Sequence, residues 1–127
     1  MIGYAEGGEW LEGYGAAWEA FDGDAWVALF TDEAEYHEDP FGTPLVGHNA
    51  LRAYLLDAAE SQRDVEFTVE RHWVSGSTVL AAWHVSFTRR STGRLVRMAG
   101  FLTAEVASDR RVSRFREWTR YAPDAPG

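Results

Sequence analysis

The sequence predicts an α+β fold: a cone-shaped, curved antiparallel β-sheet capped by three helices from the N-terminal half. Two observations carry this. Apolar side chains in the first sixty residues recur at helical spacing, and from Val65 the pattern switches to alternation. Long strands joined by short Gly-, Ser- and Asp-containing turns then follow one another, which is the pattern of an antiparallel meander. Helices kept to one side of such a sheet define the class. Long strands curl the sheet into a half-open cone, and the helices cover its concave side and leave a pocket.

Leu11, Tyr14, Trp18 and Phe21 fall at intervals of three, four and three, one face of an amphipathic first helix. Gly7-Gly8 before it reads as a frayed start, and Gly23 stops the helix. Asp24 is placed to cap a short second helix carrying Val27, Leu29 and Phe30, ended by Thr31-Asp32-Glu33. Ala34 to Asp39 reads as a short strand and Pro40 to Pro44 as a loop. Leu51, Tyr54, Leu55 and Ala58 mark a third helix from about His48 to Glu60. The strands then run Val65–Val74, Thr78–Arg89, Arg94–Val106 and Val112–Tyr121. The chain has 127 residues, one domain's worth, with no repeat and no low-complexity segment.

Composition narrows the chemistry. There is no Cys, so disulfides, thiolate catalysis and thiolate metal sites are excluded. All twelve basic residues are Arg, which removes lysine Schiff-base chemistry and the lysine of a phosphate loop. The formal charge is −8, a poor match to a phosphate backbone, so no nucleic-acid partner is expected. Residues 1–60 hold 13 acids against one base, and residues 61–127 hold 7 acids against 11 Arg. That asymmetry reads as acidic helices against an Arg-rich sheet. No apolar run is long enough to span a bilayer, and Met1 to Glu6 lacks a signal-peptide pattern, so no membrane partner and a cytoplasmic location are expected. Gly-x-Gly-x-x-Gly and Gly-x-Ser-x-Gly are both missing, and no cofactor is expected.

Four local signatures give the chain a family resemblance. They are Phe21-Asp22-Gly23-Asp24 followed by Trp26 to Phe30, Glu38-Asp39-Pro40-Phe41-Gly42, Gly47-His48-Asn49-Ala50-Leu51, and Arg114-Phe115-Arg116-Glu117-Trp118. With the element order, they make residues 9–121 resemble the nuclear transport factor 2-like superfamily, in particular the SnoaL-like polyketide cyclases and steroid Δ-isomerases. The resemblance implies a homodimer formed through the outer sheet face. It also implies that Tyr14, on the first helix, matches the isomerases' tyrosine, and that Asp39, in Glu-Asp-Pro, matches their proton-moving aspartate. Two departures stand against the isomerase pattern. One extra residue lies between Phe30 and Asp39, and a one-residue shift in a strand turns a side chain to the other face. The isomerases also keep a second, protonated acid on a later strand. The matching place is near Leu102, yet no acid lies between Arg94 and Ala104.

Moving a double bond beside a carbonyl needs a base for a carbon-bound proton and donors for the enolate oxygen. Asp39 is the candidate base and Tyr14 the candidate donor. Alternatively, Tyr14 belongs to the aromatic core stripe and Asp39 shapes the turn before Pro40. Glu117 shares a strand face with Phe115, Thr119 and Tyr121. It is either a pocket acid or the partner of an Arg on the neighbouring strand, Arg97 for example. His84 is an auxiliary polar candidate, or a hydrogen-bonded pocket or interface histidine. His37, Glu38 and Asp39 offer too few converging ligands for a metal. The limonene-epoxide-hydrolase pattern needs an Asp and an Arg where Trp83, His84 and Val85 stand. The candidate pocket wall is Trp18, Tyr36, Phe41 and Tyr54 from the first half, and Trp83, Phe101 and Phe115 from the sheet. Trp73 and Trp83 flank one hairpin, where they either pack together or stack on a ligand.

The expected function is a pocket for a small hydrophobic molecule. Catalysis there takes the form of cofactor-free isomerisation or cyclisation by proton transfer on a carbonyl compound. The alternative is a non-catalytic ligand-binding or dimeric assembly domain. The two differ in whether the polar groups converge on one substrate.

Overall fold

The computed structural model describes residues 1–123. The elements run α1 (Tyr4–Ala20), α2 (Gly23–Val27), β1 (Phe30–His37), β2 (Leu45–Val46), α3 (His48–Ser61), β3 (Gln62–Ser75), β4 (Thr78–Arg89), β5 (Leu95–Val106) and β6 (Val112–Tyr121). The six strands form one open, curved sheet in the order β2-β1-β6-β5-β4-β3. Strands β3 to β6 are the antiparallel meander. β1 lies parallel to β6, and β2 joins β1 antiparallel at the edge. Among the described residues, no helix is long and apolar enough to cross a membrane.

The helix α1 starts at Tyr4, so Gly7-Gly8 lies inside it rather than in a frayed start. A Cβ on Gly15 would sit 2.8 Å from Cδ1 of Phe67, so the missing side chain lets the helix lie close on β3. The helix ends at Phe21, not at Gly23. Phe21 takes a left-handed conformation (φ 50°), and the amides of Phe21 and Asp22 donate to Trp18 and Ala17 carbonyls at 3.0 Å. The cap of α2 is Asp22, whose Oδ1 accepts from the Ala25 amide at 3.1 Å, not Asp24. Phe30 and Thr31-Asp32-Glu33, expected to close that helix, are already strand. Phe30 pairs with Val112, and this contact overrides the local helical preference.

The concave face is read from the register. Val79, Ala104 and Phe115 form one row across β4, β5 and β6; Ala81, Leu102 and Glu117 the next; Trp83, Gly100 and Thr119 the third. Against these rows pack Trp10, Leu11 and Tyr14 of α1, Trp26 of α2, and Leu51 and Leu55 of α3, all buried. Alternation puts Trp73, Phe101 and Trp118 on the convex face. The Trp73 and Phe101 rings lie 6.1 Å apart, and the guanidinium groups of Arg71 and Arg116 lie 5.1 and 5.0 Å from the Trp73 and Trp118 rings. Trp73 and Trp83 therefore stand on opposite faces and do not meet across their hairpin.

Candidate functional site

Between the helices and the concave face lies a cavity of about 510 Å³. Tyr14 and Trp18 of α1, Tyr36 of β1, Tyr54 of α3, Trp83 of β4 and Glu117 of β6 all line it. Gly100 shapes the floor. A Cβ there would sit 2.5 Å from the Trp118 carbonyl oxygen and 2.6 Å from Cζ2 of Trp83. The Trp83 indole thus lies across β5 at a position with no side chain. Its Nε1 is buried with no acceptor among the described residues, whereas Trp18 Nε1 donates to Oε1 of Gln62 at 2.9 Å and Trp26 Nε1 to the Leu51 carbonyl at 3.1 Å.

Three polar groups meet at the inner end. The Tyr14 and Tyr36 hydroxyls are hydrogen-bonded at 2.9 Å, and both residues are buried. Phe115 holds the pair from behind, stacked at 4.5 Å on Tyr36 and 5.2 Å on Tyr14. It is fully buried and packs beneath the wall rather than lining it. The third group is Glu117, only 8% exposed. Among the described residues its carboxyl has no hydrogen-bond or ion-pair partner. Arg97 pairs with Ser86 on the opposite face, so that ion pair does not form. Burial, and then the negative charge of Glu38, push the Glu117 carboxyl up to about 8. At pH 7 such a group is protonated about ten to one. Burial first, and then Glu117, also push the Tyr14, Tyr36 and Tyr54 phenols up, so all three remain O–H donors.

Not every expected site residue joins them. Asp39 borders the mouth of the cavity but is exposed, and its Oδ1 accepts from the Phe41 amide at 2.8 Å. The extra residue explains this. Ala34 and Tyr36 face inward along β1, so the inward step is Glu38, and Asp39 falls on the opposite side. Phe41 is 97% exposed and lines nothing. His84 lies on the convex face, its Nδ1 3.1 Å from Oε1 of Glu70, because its neighbour Trp83 takes the inward position. Phe101 points outward for the same reason, beside the inward Leu102. Glu38 enters the sequence reading only within the Glu-Asp-Pro signature and as a rejected metal ligand, although it lines the cavity and its charge raises the Tyr54 and Glu117 groups. Its signal was the inward alternation of β1. His37 meets Oε1 of Glu35 at 3.1 Å, and among the described residues no three His, Asp or Glu side chains form a set that could hold a metal.

The register also locates Glu117 against the missing second acid. Glu117 is the direct cross-strand partner of Leu102, near which the resemblance to the isomerases would put their second acid. Directly paired residues lie about 5 Å apart at Cα and present side chains to the same face. A carboxyl from β6 thus reaches the region that an acid on β5 would have served.

Comparison with known proteins gives the family and the fold. The family model described as the SnoaL-like domain matches residues 11–115. Among solved structures, the chain is similar to SalBIII, an epoxide hydrolase/cyclase-like enzyme with a role in pyran ring formation in the polyether salinomycin. The TM-score is 0.82 and the identity 17%, covering 96% of this chain and 95% of that one. It is similar to an LEH-like epoxide hydrolase from M. tuberculosis (TM-score 0.77, 19% identity, 91% and 84% covered). It is also similar to a hypothetical protein from Catenulispora acidiphila with a ketosteroid isomerase-like fold, solved with trimethylamine (TM-score 0.78, 13% identity, 87% and 84% covered). No curated protein matches the chain in sequence. The chain belongs to the SnoaL-like domain family and has a ketosteroid isomerase-like fold.

Proposed function

We propose that the cavity binds a small hydrophobic carbonyl compound and moves a proton on it without a cofactor, as an isomerase or cyclase does. One observation carries the reading: a buried carboxyl, without a partner among the described residues, lines the same cavity as a hydrogen-bonded pair of tyrosines. One hydroxyl of the pair donates to the other, and the accepting hydroxyl keeps its own proton for a ligand. Protonated Glu117 supplies a second O–H. Two neutral donors fixed in the cavity wall stabilise an enolate oxygen more than the carbonyl it came from, which is the requirement for catalysis. A carboxylate at the cavity mouth then takes the carbon-bound proton and returns it at another carbon. Glu117 and Tyr14 are the oxyanion donors, with Tyr36 positioning Tyr14. The homodimer expected from the resemblance belongs to the same reading, with the Trp73, Phe101 and Trp118 face buried between copies.

The test is deuterium uptake at the activated carbon of β-tetralone, followed by proton NMR in heavy water. The wild-type protein exchanges it faster than buffer, and Glu117→Gln and Tyr14→Phe each slow the reaction, by about 10²-fold or more for loss of a full oxyanion donor. The rate falls as pH rises through about 8, where Glu117 loses its proton, and Glu117→Gln removes that fall. Exchange no faster than buffer leaves the cavity as a binding site without chemistry, and an unchanged rate in both variants removes Glu117 and Tyr14 as the donors.

A further inference from the structure

We propose that Glu38, and not its neighbour Asp39, is the carboxylate that removes the carbon-bound proton. The proposal rests on the proton-transfer reading above and names the base that reading requires.

Three observations carry it. The first is direction. Ala34 and Tyr36 are buried along β1 while Glu35 is exposed, so the inward step after Tyr36 is Glu38. β1 ends at His37, so Glu38 is only one residue beyond the paired strand, and the strand still sets its direction. The second is placement. Glu38 lines the cavity, as the backbone turn at Asp39 also does, and its charge bears on the Tyr54 hydroxyl and the Glu117 carboxyl. The third is that Asp39 is committed elsewhere. Its Oδ1 holds the Phe41 amide at 2.8 Å, and Gly42 closes against it, with an added Cβ only 3.3 Å from Cβ of Asp39.

Glu38 and Glu117 then form a pair in unlike surroundings, one open to solvent and the other enclosed. Such a pair divides into a base and an acid. In the forward step the Glu38 carboxylate takes the proton from the carbon beside the carbonyl. The C–H bond breaks, an O–H bond forms on Glu38, and the electron pair moves onto the carbonyl oxygen between the Tyr14 and Glu117 donors. In the return step Glu38 gives the proton back, to the same carbon or to the far end of the enolate. No oxidant, reductant or second substrate enters.

The experiment compares the wild-type protein with Glu38→Gln and Asp39→Asn in the β-tetralone exchange assay. Binding of β-naphthol, which imitates the enol, is measured by calorimetry on the same proteins. The expected result is a loss of exchange in Glu38→Gln of about 10²- to 10⁴-fold, the range of general base catalysis, with β-naphthol still bound. Asp39→Asn keeps the wild-type rate, since the amide oxygen still accepts from Phe41. If Asp39→Asn loses exchange and Glu38→Gln keeps it, the assignment of Glu38 is overturned while the proton-transfer reading stands. If Glu38→Gln loses β-naphthol binding in step with its rate, Glu38 shapes the cavity and is not the base. If the wild-type protein does not exceed buffer, the assignment and the reading beneath it both fail.

Discussion

Glu117→Gln stabilises the protein in alkaline solution and leaves it unchanged in acid. In the folded protein the Glu117 carboxyl titrates at about 8, against an ordinary value of 4.5. Between those two pH values the unfolded chain has released the proton and the folded chain still holds it. The folded state binds more protons there, so stability falls as pH rises. The full contribution is present below about 4.5, is lost progressively up to about 8, and stays lost above. Each pH unit removes about 1.4 kcal/mol, which over this window amounts to about 5 kcal/mol as an upper bound. That is a large part of the stability of an ordinary domain. Glutamine matches the shape of the protonated acid and has nothing to ionise, so it keeps the acid-side stability at every pH. Urea unfolding of both proteins, at steps from pH 4.5 to 9, gives the difference directly. The two curves meet at the acid end and diverge toward pH 8. Asp109, which its bond to Arg111 pulls below the usual carboxylate range, gives a slope of opposite sign that is lost as pH falls. It is common to both proteins and cancels. Parallel curves across the whole range would refute the reasoning, because the Glu117 carboxyl would then ionise as readily folded as unfolded.

Three further outcomes are expected. Gly100→Ala forces a Cβ into the Trp118 carbonyl and the Trp83 ring, and costs about 1–3 kcal/mol as overpacking does. Thermal unfolding measures the loss, and a changed tryptophan emission reports the displaced indole. Tyr14→Phe leaves the Tyr36 hydroxyl buried without its partner and costs about 1–3 kcal/mol, while Tyr14→Phe with Tyr36→Phe costs less than the sum of the single changes. A double-mutant cycle in urea reads that coupling, and simple additivity would deny it. Light scattering on the wild-type protein gives twice the chain mass, and Trp118→Glu, which puts a charge into the convex aromatic patch, gives the chain mass alone.

The fold was legible because period reports faces. The switch from helical spacing to alternation from Val65 located α1, α3 and the four long strands. It was silent on partners: nothing local says that β1 lies parallel to β6, and that pairing is what draws Phe30 into a strand. Faces within a strand were legible only where parity was followed through. Glu117 shares parity with Phe115 and lies in the cavity. Trp83 and His84 are adjacent, as are Phe101 and Leu102, so within each pair only one side chain faces inward. The mouth was hardest to read. The even parity of Phe30, Ala34 and Tyr36 carries the inward direction on to Glu38, whereas the match to Glu-Asp-Pro drew the choice to Asp39. A second acid was sought along β5, whereas the carboxyl that the sheet turns into the cavity comes from β6, across the strand pair.

The central claim is that Glu117 carries a proton at neutral pH inside the cavity. A carbon-13 NMR titration of protein labelled at the glutamate side-chain carboxyls tests it most directly, with Glu117→Gln assigning the resonance. The account predicts that the resonance missing from Glu117→Gln titrates with a midpoint of about 8. A Glu117 midpoint in the ordinary carboxylate range, below about 5, would contradict it and leave the cavity without its acid.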